Sequence, residues 1–153
     1  MARTLESLIT QSIVERLSGQ GEWPSNRVQS LRMLRESIKR DMEWLLNTRR
    51  TPLDGMDAFP LASRSVLQYG LIDASSLSIS SSHDQRRLQQ AVQKCIDDFE
   101  PRLQNVRVTL ELDEQKRRQL RFHIEGEIRL DPAPEEISFD TVLDLTSGQY
   151  SVS

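Results

Sequence analysis

From the start of the chain to about Arg102, apolar side chains recur every three to four residues; beyond it they alternate with polar ones. The first pattern is that of amphipathic helices and the second that of half-buried strands. Leu5, Leu8, Ile9, Ile13 and Leu17 predict a first helix, with Thr4 as its cap and Gly19 as its stop. The loop 18–24 follows, and its glycines would give that helix freedom to move. A second helix is expected from Ser25 or Asn26, with Val28, Leu31, Leu34, Ile38, Met42 and Leu45 as its apolar stripe. On its polar side Glu36 lies four residues from both Arg32 and Arg40, and Lys39 four from Glu43. Such pairs are each worth a few tenths of a kcal/mol. Asn47 tolerates the left-handed conformation and is the expected stop, and Pro52 bars continuation.

Residues 50–62 read as irregular, with a turn at 51–55. A short helix over 63–69 is expected to close at Gly70. The serine-rich stretch 75–82 reads as a loop ending in a helix cap. A third long helix then runs from about Ser82 to Phe99, burying Leu88, Ala91, Val92, Cys95, Ile96 and Phe99. Cys95 lies on that stripe, which makes it a core thiol rather than a nucleophile.

After Arg102, Val106, Val108, Leu110 and Leu112 predict a strand, and 113–119 a charged hairpin loop. Leu120, Phe122 and Ile124 resume the alternation, extended by Ile128 and Leu130. Gly126 between them signals a bulge or a close backbone approach. Ile137, Phe139, Thr141, Leu143 and Leu145 form a third strand, and Ser147-Gly148 turns into a short terminal one over 149–152. Helices first and a meander after them give an α+β fold: N-terminal helices packed on one face of a small antiparallel sheet of three to four strands. Residues 1–153 are expected to form one domain, with 1–24 as a first helix and loop apart from the rest.

Composition narrows the function. The net charge of −3 argues against a nucleic-acid binder. Residues 131–153 carry five acids (Asp131, Glu135, Glu136, Asp140, Asp144) and no lysine or arginine. Only Lys39, Lys94 and Lys116 are lysines among the 20 basic residues. Arginine is favoured at protein interfaces, although codon bias gives the same excess. No apolar leader or membrane span is evident and one cysteine allows no internal disulfide, so a cytoplasmic protein is expected.

Enzyme and cofactor signatures are missing. The six glycines are scattered, with no phosphate-binding loop and no nucleophile elbow. His83 and His123 lie far apart, and a single cysteine leaves no metal-ligand spacing. His123 falls between Phe122 and Ile124 and is expected to face solvent. The acids Asp97, Asp98 and Glu100 are the one catalytic option, as a glycosidase pair; eight aromatic residues leave few rings for sugar stacking. A binding protein with no cofactor and no metal is the expectation.

Three segments stand out: Leu45-Leu46-Asn47-Thr48-Arg49-Arg50, Tyr69-Gly70-Leu71-Ile72-Asp73, and Phe99-Glu100-Pro101-Arg102-Leu103. In the last, Pro101 forces Glu100 out of the helical region. Extended residues two apart point the same way, so Glu100 and Arg102 are held on one side, ready to pair with each other or with a partner. A helix terminator with a local salt bridge has the same spacing.

Together these segments resemble the family of small contractile-tail baseplate wedge proteins, in its type VI secretion (TssE) branch. The family's hallmark is a Glu-Pro-Arg triplet, matching Glu100-Pro101-Arg102; the branch adds a Leu-Leu-Asn-Thr-Arg-Arg run, matching 45–50, and a Tyr-Gly-Leu-Pro-Asp run, matching 69–73 except for Ile72 in place of proline. The resemblance spans about residues 5–152. It implies a non-enzymatic baseplate component that joins the wedge subunits TssF and TssG to the sheath proteins TssB and TssC and templates the sheath by strand exchange. It implies partner-binding roles for Glu100, Pro101, Arg102, Arg49 and Arg50. If Arg102 pairs across the interface, Arg102→Ala should weaken assembly and leave the fold intact. A phage or tailocin baseplate protein is the alternative, and a peptidoglycan-cleaving glycosidase, after the "lysozyme-related" label some relatives carry, a more distant one.

Overall fold

The computed structural model describes residues 12–18, 23–73, 81–112, 118–131 and 133–153. The expected cap at Thr4, the apolar positions Leu5, Leu8 and Ile9, the stop at Gly19, most of the serine-rich stretch and most of the charged hairpin loop lie outside them. The chain divides into two compact units, Met1–Arg40 and Asp41–Ser153.

In the first unit, α1 spans Ile13–Ser18. Ser12 and Glu15 open it reciprocally: the Glu15 N–H donates to Ser12 Oγ and the Ser12 N–H to the Glu15 carboxylate, at 3.3 and 3.1 Å. Arg40 Nη2 reaches the same carboxylate at 3.5 Å. Ile13, Val14 and Leu17 are exposed.

Helix α2, Arg27–Asn47, begins where its spacing predicted, and Arg32 pairs with Glu36 at 3.1 Å. Its apolar stripe is used unevenly. Ile38, Met42, Leu45 and Leu46 are fully buried, whereas Val28 near the helix start is 79% exposed. The helix also ends for a different reason than expected. Among the described residues Asn105 is the non-glycine with positive φ, and Asn47 is not. Instead the Asn47 side chain joins the helix to the sheet: its Nδ2 donates back to the Glu43 carbonyl at 2.9 Å, and the same amide pairs with β4. Its Nδ2 donates to the Tyr150 carbonyl and its Oδ1 accepts the Tyr150 N–H, both at 2.8 Å. Asn47→Ala would orphan both backbone groups, at a cost of about 1–3 kcal/mol. Urea unfolding would check this, and an unchanged midpoint would show that water replaces the amide.

Three short 3-10 turns, Met56–Ala58, Ala62–Arg64 and Val66–Gln68, replace the single short helix expected near 63–69. Helix α3, Ser82–Phe99, is capped by Ser81, whose side chain accepts the Asp84 N–H at 3.3 Å. It buries Leu88, Val92, Cys95 and Ile96.

The second unit is completed by an antiparallel sheet, β1 (Leu103–Leu112), β2 (Gln119–Ile128), β3 (Glu135–Asp144) and β4 (Gln149–Val152), in the order β1-β2-β3-β4. This is the expected α+β meander. One face carries Val108, Leu120, Phe122, Ile124, Phe139, Leu143, Tyr150 and Val152, all buried. Phe122 and Tyr150 meet there with ring centroids 6.1 Å apart.

β1 starts three residues earlier than the alternation suggested, because a bulge lies inside it. Register shifts between Gln104 and Arg107, and Asn105 takes φ 55° there. Gly126 marks this point from the neighbouring strand. It pairs regularly with Ile137, but a Cβ on it would come 3.4 Å from the Gln104 carbonyl oxygen. That is an ordinary contact, so the glycine is not forced by space, and the irregularity is in β1.

On the outer face His123 lies opposite Asp140, Nδ1 2.8 Å from Oδ1, with Nε2 3.5 Å from Glu125. The hydrogen bond to Asp140, then the charges of Asp140, Glu125 and Glu111, raise the imidazole above its ordinary 6.5 against a small opposing effect of burial. A raised folded-state pKa stabilises the protein fully below about 6.5 and loses that contribution as pH rises through the folded value. The stability gap between parent and His123→Gln is therefore expected to shrink from about pH 6 to about pH 8, across which a histidine of raised pKa gives up its charge. A gap that widens on the alkaline side would contradict this sign.

Candidate functional site

The three segments singled out in the sequence meet in the second unit. After α2, the chain runs beside residues 70–72: the Leu71 N–H donates to the Thr48 carbonyl and the Arg50 N–H to the Leu71 carbonyl, each at 2.9 Å. This parallel bridge, Arg49 against Leu71, joins the first two segments. It brings the backbone of Gly70, at φ 98°, hard against Thr48. Tyr69 then stacks edge-on against Phe99, centroids 5.3 Å apart, which ties in the third segment.

The two arginines of the first segment go different ways. Arg49 Nη2 donates to the Gly148 carbonyl at 2.7 Å, in the turn between β3 and β4, and Nη1 lies 3.5 Å from Asp73. Its side chain stays 43% exposed. Arg50 is half-buried and donates to Gln68 Oε1 at 2.7 Å. Between Arg50 and Gln68 the segment that holds the 3-10 turns leaves Leu53, Phe59, Leu61, Val66 and Leu67 exposed.

The third segment forms an ion cluster. Glu100 ends α3 and is only 3% exposed. Its Oε1 accepts from Arg102 Nε at 2.7 Å and from the Arg102 N–H at 3.1 Å. Arg102 Nη2 bridges from the second oxygen of Glu100 to Asp41 Oδ2, 2.7 Å away on α2. Burial works against the guanidinium's charge, but the hydrogen bonds and charges of Glu100 and then Asp41 outweigh it and raise its pKa above that of an ordinary arginine. The bond between Glu100 and Arg102 is the one the proline-forced geometry allowed. Its consequence for Arg102→Ala is a correction, because the guanidinium finds these carboxylates within its own chain. Pro101 lies exposed between them.

Two of the three acids of the glycosidase option are taken up by bases. Glu100 turns to Arg102, and Asp98 takes Lys94 at 2.7 Å. Burial pushes the Cys95 thiol up to about 11, against the opposing hydrogen bond at Gly70, so it stays protonated near neutrality. Among the described residues no group of three or more His, Cys, Asp or Glu could hold a metal, and no helix is long and apolar enough to cross a membrane.

Asp41 and Gly148 are members of this site that sequence reasoning missed. Asp41 lies 61 residues from Arg102, and Gly148 99 from Arg49; no local pattern links either pair.

The family described as baseplate wedge protein gp25 matches residues 32–133. The chain belongs to that family. The match covers more than half of the chain and includes Asp41, the Arg49–Leu71 bridge and the Glu100–Arg102 pair, the residues that build the ion cluster and its surroundings. The gp25 family is one of structural baseplate proteins. No curated protein matches the chain.

Proposed function

We propose that this gp25-family chain is a baseplate component of a type VI secretion system, working in the cytoplasm to link the wedge subunits TssF and TssG to the contractile sheath of TssB and TssC. The observation that carries the type VI reading is the joining of 45–50 to 69–73 through the Arg49–Leu71 bridge. Those are the two runs that resemble the type VI branch. Glu100, Pro101, Arg102, Arg49 and Arg50 hold the wedge contact in this reading, with the ion cluster setting the shape of the surface and exposed Arg49 and Pro101 touching the partner. The exposed apolar side chains in and between the 3-10 turns, such as Leu61 at 91%, supply area beside them.

The sheath end uses the sheet. An edge strand accepts a strand from another chain through main-chain hydrogen bonds, and templating the first sheath ring follows from that. The acids between 131 and 153, unrelieved by any base, favour a basic partner strand.

The test is an affinity pull-down of the tagged protein from its own cells, with mass spectrometry of what is bound. TssF, TssG, TssB and TssC are expected together. Glu135→Lys/Glu136→Lys should lose the sheath proteins and keep the wedge proteins. Recovery of phage-tail proteins in their place would move the chain to a phage or tailocin baseplate, and recovery of neither would sink the assembly reading.

A further inference from the structure

β1 is ten residues long and lies at the edge of the sheet. Long edge strands offer a row of unpaired N–H and C=O groups, the template for pairing with another copy of the same chain. Thr109 pairs inward with His123, so Val106, Val108 and Leu110 turn their backbone groups outward.

Two of those three positions are occupied by α3. Gln93 Nε2 donates to the Val106 carbonyl at 3.1 Å, and Gln89 Nε2 to the Val108 carbonyl at 2.7 Å. Gln93 Oε1 accepts the Val108 N–H at 3.4 Å. The spacing is a geometric match. Residues four apart on a helix are about 6 Å apart along its axis, and alternate residues of a strand about 6.6 Å. Gln89 and Gln93 thus address Val108 and Val106 in turn, with helix and strand antiparallel. An added strand would sit about 4.8 Å from β1, where the two amides now lie.

We propose that Gln89 and Gln93 plug the outer edge of β1 and so prevent it from pairing with β1 of a second copy of this chain. Both glutamines flank the buried stripe of α3 without belonging to it, and both spend their amides on backbone that a partner strand would otherwise take. A closed β1 leaves the β3–β4 side of the sheet for the strand exchange proposed above, although the plug itself does not depend on that reading.

Gln89→Met/Gln93→Met keeps side-chain length and helix propensity while removing the amides. In sedimentation of the purified full chain, its weight-average mass is expected to rise with concentration towards about twice that of the parent, as an isologous dimer requires. Hydrogen exchange should slow at the Val108 and Leu110 amides in the associated form. Adding Leu110→Pro, which removes an outward N–H and leaves the ladder to β2 intact, should restore the parent's mass. A double variant that folds and sediments like the parent at every concentration overturns the proposal. So does association that survives Leu110→Pro, and so does failure of the double variant to fold, which would make the glutamines braces for α3.

Discussion

Arg102→Ala is expected to destabilise the isolated protein by about 2–4 kcal/mol. Glu100 is 3% exposed, and the Arg102 guanidinium balances its charge and supplies two of its hydrogen bonds; the third comes from the Arg102 N–H and stays in the variant. Breaking a buried ion pair from one side leaves an uncompensated charge, which costs about 3–5 kcal/mol in well-buried cases. The Arg102 and Asp41 side chains are 27% and 29% exposed, so water relieves part of that here. The sharper test is the pairwise one. Glu100→Gln/Arg102→Met removes both charges and is expected to be less destabilising than Arg102→Ala alone. Chemical unfolding of the two variants beside the parent decides it; an Arg102→Ala variant as stable as the parent would return the pair to a purely intermolecular role. The result also governs how any assembly defect of Arg102→Ala is interpreted, since lost stability and lost contact then arrive together.

Gly70→Ala is expected to cost about 3 kcal/mol or more. Left-handed backbone alone costs a residue with a Cβ about 1–2 kcal/mol. Gly70 adds a collision: an added Cβ would lie 2.3 Å from the Thr48 carbonyl oxygen and 2.9 Å from its carbon. That oxygen is the acceptor for the Leu71 N–H, so relief of the clash requires opening the Arg49–Leu71 bridge. Gly55 supplies the control. It too has positive φ, 77°, but nothing lies within 4 Å of its Cβ position, so Gly55→Ala should cost only the conformational 1–2 kcal/mol. Equal melting shifts for the two variants would mean that the bridge yields without resistance.

These two sites show what could be read from the chain beforehand. The strands were legible because one face of each is buried, and a period of two records that directly: Leu120, Phe122 and Ile124 are all buried. Ser81, Glu100 and Gly70 announced their turns through short-range chemistry. The bulge at Asn105 did not, because the alternation of Val106 and Val108 is the same with or without it; only Gly126, on the next strand opposite the shift, pointed to its place. Asn47 was legible as an end but not as a clamp. Its side chain is chosen for Tyr150, 103 residues away, and no local rule carries that distance. Asp41 is hidden in the same way, an ordinary acid on a helix until Arg102 folds onto it. Gln89 and Gln93 left a faint trace, as two amides four residues apart beside the stripe. Val28 misled the other way, since an apolar residue on the right phase of a helix is not obliged to be covered.

The bonds of the site also set the order in which the protein matures. The strands of the meander are neighbours in sequence and can zip together through short loops, which makes them early structure in folding. The Arg102–Asp41, Arg49–Gly148 and Asn47–Tyr150 bonds span 61, 99 and 103 residues, and their longer loops are expected to close after the meander has formed. The surface built from residues 41–50 and 99–102 is therefore among the last features to take shape. A chain whose sheet has formed but whose ends have not yet been drawn together lacks that surface, so newly made or partly unfolded copies are kept out of any assembly that reads it.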